Sequence, residues 1–134
     1  MKHAKGTFEV QMVPQEQNEL EGATLGRLSL EKQFSGDLAG SGKGQMLTAL
    51  TTTEGSAGYV AIEQVEGTLH GRSGRFVLQH NGLMNRGAQS LSIVIVPDSG
   101  TGELVGLSGS MTIAIDEEGQ HTYELAYTLA DSMD

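Results

Sequence analysis

Apolar and polar residues alternate along most of this chain. Between Thr7 and Val13, Phe8, Val10 and Met12 fall on one side, and Thr7, Glu9 and Gln11 on the other. From Arg27 to Phe34, Leu28, Leu30 and Phe34 oppose Arg27, Ser29, Glu31 and Gln33. A third segment, about 44–53, ends in the β-branched run Thr51-Thr52-Thr53. Further segments span about 58–70, 75–81, 88–96, 104–115 and 121–129. In the last of these, Tyr123, Leu125, Tyr127 and Leu129 share a parity. A period of two over such lengths predicts strands with one buried face.

The connectors carry turn chemistry: 36–42, 54–56, 98–102 and 116–119 are rich in Gly, Asp and Ser. The polar, acidic stretch Pro14 to Gly22 reads as a connector with one helical turn. None of the connectors is long enough for a crossover helix, so the strands should run as an antiparallel meander. An open sheet of eight strands would leave two unpaired edges, and closure removes them. The expected fold is therefore all-β, an eight-stranded antiparallel meander closed into a barrel, as a single domain over 1–134.

The hairpin from Gly58 to Gly82 carries the only constellation that looks like chemistry. With a turn at Gly71-Arg72-Ser73-Gly74, Leu69 faces Phe76, Gly67 faces Leu78 and Val65 faces His80. Glu63 then lies diagonal to His80, and Tyr59 follows on the same face. That face is the more apolar one, so pointing it inward buries Glu63 and His80 beside Val65, Leu69, Phe76 and Leu78. A buried carboxylate needs a partner, and an imidazole or a phenol can serve. Two readings follow. One is a polar spot that orients a ligand or transfers a proton, and the other is an internal network that fixes strand register. Val60, Ile62 and Val77 occupy the outer face, as scattered surface residues or as a contact between copies of the chain.

Composition narrows the partners. The chain has 134 residues, a net charge of -9 and no cysteine. Its acidity disfavours nucleic acid and anionic membrane surfaces. Lacking cysteine, it has no disulfide, thiolate metal site or cysteine nucleophile, which fits a reducing, cytoplasmic setting. The N-terminus lacks the apolar run of a signal peptide, and no stretch reaches the ~20 apolar residues of a membrane span. The segment Gly40-Ser41-Gly42-Lys43-Gly44 is no phosphate loop, because position 37 is Asp and no Ser or Thr follows Lys43. Gly106-Leu107-Ser108-Gly109-Ser110 misses the nucleophile elbow by one residue. His3, His70, His80 and His121 show no metal-ligand spacing, so neither a metal nor another cofactor is expected.

The segments Phe34 to Gly42, Gly58-Tyr59, Glu63, Gly67-Thr68-Leu69, Gly71 to Gly74 and Phe76 to His80, with Gly82, resemble an uncharacterised family of small bacterial proteins, a domain of unknown function. The resemblance covers nearly the whole chain. It implies an allene-oxide-cyclase-like β-barrel and no settled activity, and no motif of the plant cyclases is present. The leading functional expectation is a barrel that binds a small, largely apolar ligand, with Tyr59, Glu63 and His80 as polar contacts. Val65, Leu69, Phe76 and Leu78 would form its walls. The alternatives are an isomerase or cyclase-like enzyme using Glu63 and His80 for proton transfer, and a filled barrel with a structural or oligomeric role.

Overall fold

In a computed structural model, residues 1–129 are described. Eight antiparallel strands in sequence order close into a barrel. They are β1 (Lys2–Leu20), β2 (Ala23–Gly36), β3 (Leu38–Thr51), β4 (Ala57–Leu69), β5 (Arg72–Asn85), β6 (Ala88–Ile95), β7 (Leu107–Ile115) and β8 (His121–Leu129). Closure is made by β1 and β8, which pair from Lys2↔Tyr127 to Phe8↔His121. A single 3₁₀ turn, Gly102–Leu104, lies between β6 and β7. The alternation seen in the sequence has its cause here: each strand turns one parity into a common interior.

Several boundaries differ from expectation. The acidic stretch after Pro14 is not helical, since β1 runs on to Leu20 and pairs with β2 throughout. An irregularity between Pro14 and Glu16 accommodates the proline. Beyond Phe8, β1 has no second strand beside it among the described residues, so the N–H that proline lacks is not needed by a strand there. The connector at 36–42 shrinks to Asp37, because β3 begins at Leu38. The seventh strand begins at Leu107 rather than 104, because Leu104 belongs to the 3₁₀ turn.

The β4–β5 hairpin turns at His70-Gly71, not at the four residues 71–74. His70 (φ 48°) and Gly71 (φ 83°) both adopt left-handed conformations, as a two-residue hairpin turn of the primed type requires. The register is thereby Leu69↔Arg72, Val65↔Phe76, Glu63↔Leu78 and Ala61↔His80. The slip from the expected pairing is an even number of residues, so every side chain keeps its expected face.

The two ends of the barrel are unlike. At one end, Leu38, Leu69, Leu104 and Leu107 are buried and plug the interior. Tyr123 holds that plug: its hydroxyl accepts from Leu38 N at 2.9 Å and faces Leu38 O at 2.9 Å and Ser35 O at 3.1 Å. Burial pushes the Tyr123 hydroxyl pKa up, against a smaller opposing effect of the Leu38 backbone bond and with a further upward push from Asp37. Nearby, Tyr127 OH meets His70 Nδ1 at 2.5 Å, tying the β4–β5 turn to β8. At the other end, β1 runs on to Leu20 beyond its last pair with β8, Phe8↔His121, and β6 pairs with β7 only at Ile93↔Met111 and Val94↔Ser110. That end is hollow.

Candidate functional site

The interior is built in levels along β4 and β5. Nearest the hollow end, Tyr59 faces Gly82; one level in, Ala61 faces His80; below that, Glu63 faces Leu78. Glu63 and His80 are therefore diagonal neighbours on the inner face, and both are buried, at 0% and 4% exposure. His80 Nε2 lies 2.8 Å from Glu63 Oε1. A carboxylate can only accept, so that nitrogen carries the hydrogen.

The same Glu63 oxygen also accepts from Lys32 Nζ at 2.9 Å. Lys32 comes from β2, is 7% exposed, and was not expected in the site. Its ammonium lies 5.1 Å from the centre of the Phe8 ring and 5.9 Å from that of Phe34, so aromatic faces supply part of the solvation it gives up. The signal for it was present, because Lys32 shares the parity of Leu28, Leu30 and Phe34.

The electrostatics of Glu63 are a contest. Burial alone raises the pKa of its carboxyl. The His80 hydrogen bond, the charge and hydrogen bond of Lys32, and the charge of His80 together outweigh burial, and the net is below the ordinary value of 4.5. Glu63 is thus a carboxylate paired with an ammonium inside an apolar barrel. Its second oxygen, Oε2, is buried and has no hydrogen-bond partner among the described residues. A Cβ at position 42 would sit 2.9 Å from that oxygen, so Gly42 clears the space the carboxylate occupies.

Above this cluster the hollow end opens into a cleft of about 610 Å³. Leu50, Leu83, Met84, Leu91 and Ile113 supply apolar lining, and Tyr59 and His121 supply aromatic rings with polar tips. Tyr59 lies flat over Gly82: a Cβ there would come within 2.3 Å of its ring. Burial raises the pKa of the Tyr59 hydroxyl. Of the residues picked from the sequence, Tyr59 lines the hollow. Glu63 is joined to both His80 and Lys32 beneath it. Val65, Leu69, Phe76 and Leu78 face inward as expected, but they are packed core at 0–1% exposure on the plugged side. Val60 and Ile62 are on the outer face, half exposed, and Val77 is partly buried there. Among the described residues, no group of three or more His, Asp or Glu is placed to hold a metal ion. No helix among them is long and apolar enough to cross a membrane.

Comparison with known proteins agrees with this architecture. The family model DUF3224, a protein family of unknown function, matches residues 4–127. A crystal structure of a DUF3224 protein of unknown function from Shewanella oneidensis MR-1 superposes with a TM-score of 0.93. It is 46% identical, over 98% of this chain and 99% of that one. No curated protein matches. The chain belongs to the DUF3224 family.

Proposed function

We propose that this member of the DUF3224 family binds a small, largely apolar molecule in the hollow end of its barrel. One observation carries the reading: a space of about 610 Å³ lined mainly by apolar side chains, with a few polar tips. That volume lies inside the range of about 300–1,000 Å³ usual for small-molecule sites. Tyr59 is the polar contact, held against the wall by Gly82. Glu63 and His80, with Lys32, form the charged floor behind it and set the field that a polar end of the ligand meets. Val65, Leu69, Phe76 and Leu78 support that floor. The net charge of -9 favours a neutral or cationic ligand over an anion.

The exterior bears Glu9, Glu31, Lys43 and Glu66, all exposed, around an apolar interior. That is the inverse of a membrane barrel, whose band facing the lipid is apolar. With the absence of cysteine, it supports a soluble, cytoplasmic protein.

A second reading has its own observation. Glu63 Oε1 and His80 Nε2, 2.8 Å apart beneath the hollow, form a carboxylate–imidazole pair of the kind an isomerase or cyclase-like step would use for proton transfer.

Titration with Nile red, a neutral apolar dye, tests the binding site. Wild type is expected to bind it, and Ile113→Trp, which fills the hollow, should abolish binding in a folded protein. Undiminished binding by Ile113→Trp would sink the proposal. Native mass spectrometry of protein purified from its own host, followed by denaturing analysis, would identify a carried ligand. Chemical change of that compound on incubation would favour the enzyme.

A further inference from the structure

The cleft at the hollow end has apolar walls and a charged mouth. In an antiparallel meander, alternate connectors lie at opposite ends, and three of the four connectors at the hollow end bound the cleft directly. Leu50 and Ala57 flank the turn 52–56, Met84 and Gln89 flank Arg86-Gly87, and Ile115 and His121 flank the turn 116–120. Those three turns carry Glu54, Asp116, Glu117 and Glu118 against a single guanidinium, Arg86. All five of these side chains are exposed.

Most of these carboxylates are uncommitted. Asp116 spends one oxygen on its own turn, where Oδ1 accepts from Glu118 N and Gln120 N, both at 2.9 Å. Glu54, Glu117 and Glu118 enter no ion pair among the described residues, and neither does Arg86. The deep end of the cleft offers no net charge to compete with them, because Lys32 and Glu63 offset each other at 2.9 Å. Burial draws an apolar body inward, and a charged group carried on that body stays at the mouth, where water still solvates it. Only one sign of charge is favoured there. An ammonium is attracted by the carboxylates, and a sulfate is repelled.

We propose that the cleft selects a cationic amphiphile, an organic ammonium or amidinium on an apolar body, with the body in the hollow and the cation among Glu54, Glu117 and Glu118. This selection rests on the hollow's being a ligand site, and it adds the charge of the ligand and the direction in which it lies. At about 0.1 M salt, charges act over about 10 Å. The carboxylates of the mouth therefore govern the choice, and those on the barrel wall contribute little.

Displacement of Nile red by octyltrimethylammonium and by octyl sulfate, both below their micelle-forming concentrations, separates charge from apolar burial. At about 0.1 M salt the ammonium should displace the dye at a concentration about tenfold lower than the sulfate, and at about 1 M the two should differ by less than about threefold. Glu54→Gln, Glu117→Gln and Glu118→Gln together should keep the dye affinity and lose most of the preference. Glu9→Gln, Glu31→Gln and Glu66→Gln, on the barrel wall, change the net charge equally and should keep the preference. Equal displacement by the two probes in wild type overturns the charge selection and leaves the dye site standing. So does a preference that survives in the mouth variant, or one that falls as far in the wall variant. A wild type that binds no Nile red overturns the ligand site, and the selection with it.

Discussion

The two ends of this barrel are made by the same strands and behave as different materials. At the plugged end, Leu38, Leu69, Leu104 and Leu107 fill the interior, and the hydroxyls of Tyr123 and Tyr127 tie turns to strands. At the hollow end, Leu50, Leu83, Leu91 and Ile115 remain 42–65% exposed around an empty space. Between them lies the level of Lys32, Glu63 and His80. The difference teaches a division of labour. The plugged half supplies the burial that holds the fold together, which leaves the other half free to keep apolar side chains in water.

The sharpest way to break this division is at the level between the halves. Glu63→Leu leaves Lys32 buried without its carboxylate and should cost about 3–5 kcal/mol in denaturant unfolding. Lys32→Met added to Glu63→Leu removes both charges, and the double variant should recover most of that loss, because well-packed apolar residues often replace a buried ion pair at no net cost. A double variant no more stable than Glu63→Leu would show that the cluster is needed for more than its own neutrality.

A slightly smaller effect tests the two ends directly. Leu104→Ala, in the plug, should cost about 2–5 kcal/mol, the usual range for a fully buried leucine. Leu91→Ala, at the hollow rim, should cost under about 1 kcal/mol and act mainly on dye affinity. Equal losses in thermal unfolding would erase the distinction.

Acidity sharpens the comparison further. The Glu63 carboxyl has its folded-state pKa below the ordinary 4.5, so its contribution is complete above that value and disappears as pH falls through the folded pKa. Wild type should therefore lose stability on acidification below about 4.5 more steeply than the Lys32→Met, Glu63→Leu double variant. Parallel acid limbs would argue against the pairing. The smallest effect is expected at the rim: Tyr59→Phe should leave stability within about 0.5 kcal/mol while weakening capture of ligands that carry a hydrogen-bonding group.

How much of this was legible in the sequence depends on parity. The inward set of β4 and β5 followed from alternation alone, and the true turn at His70-Gly71 did not disturb it because the slip was even. The turn itself was misplaced because Gly71 and Gly74 are equally good punctuators, and only φ decides between them. Lys32 went unread although its parity matched Phe34, since a lysine on an apolar face is ordinarily taken to reach out to water. The strand beyond Pro14 was hidden by its polarity, which suits a segment exposed along its length and paired on one side. The hollow end could not be read at all, because it lies where β6 and β7 pair at only two positions, a property of the closed assembly.

The bare flank of β1 has a further consequence. From Glu9 to Leu20 this strand offers main-chain groups to which no β8 residue responds. Such a flank is a rail on which another extended chain could zip, the first step toward a fibre. Pro14 breaks the row of donors, the irregularity beside it interrupts the straight run, and Glu9, Glu16 and Glu19 set like charges against any identical arrival. The same stretch that looked in sequence like an unstructured connector is therefore a guarded strand, and its polarity is what keeps neighbouring molecules from stitching onto it.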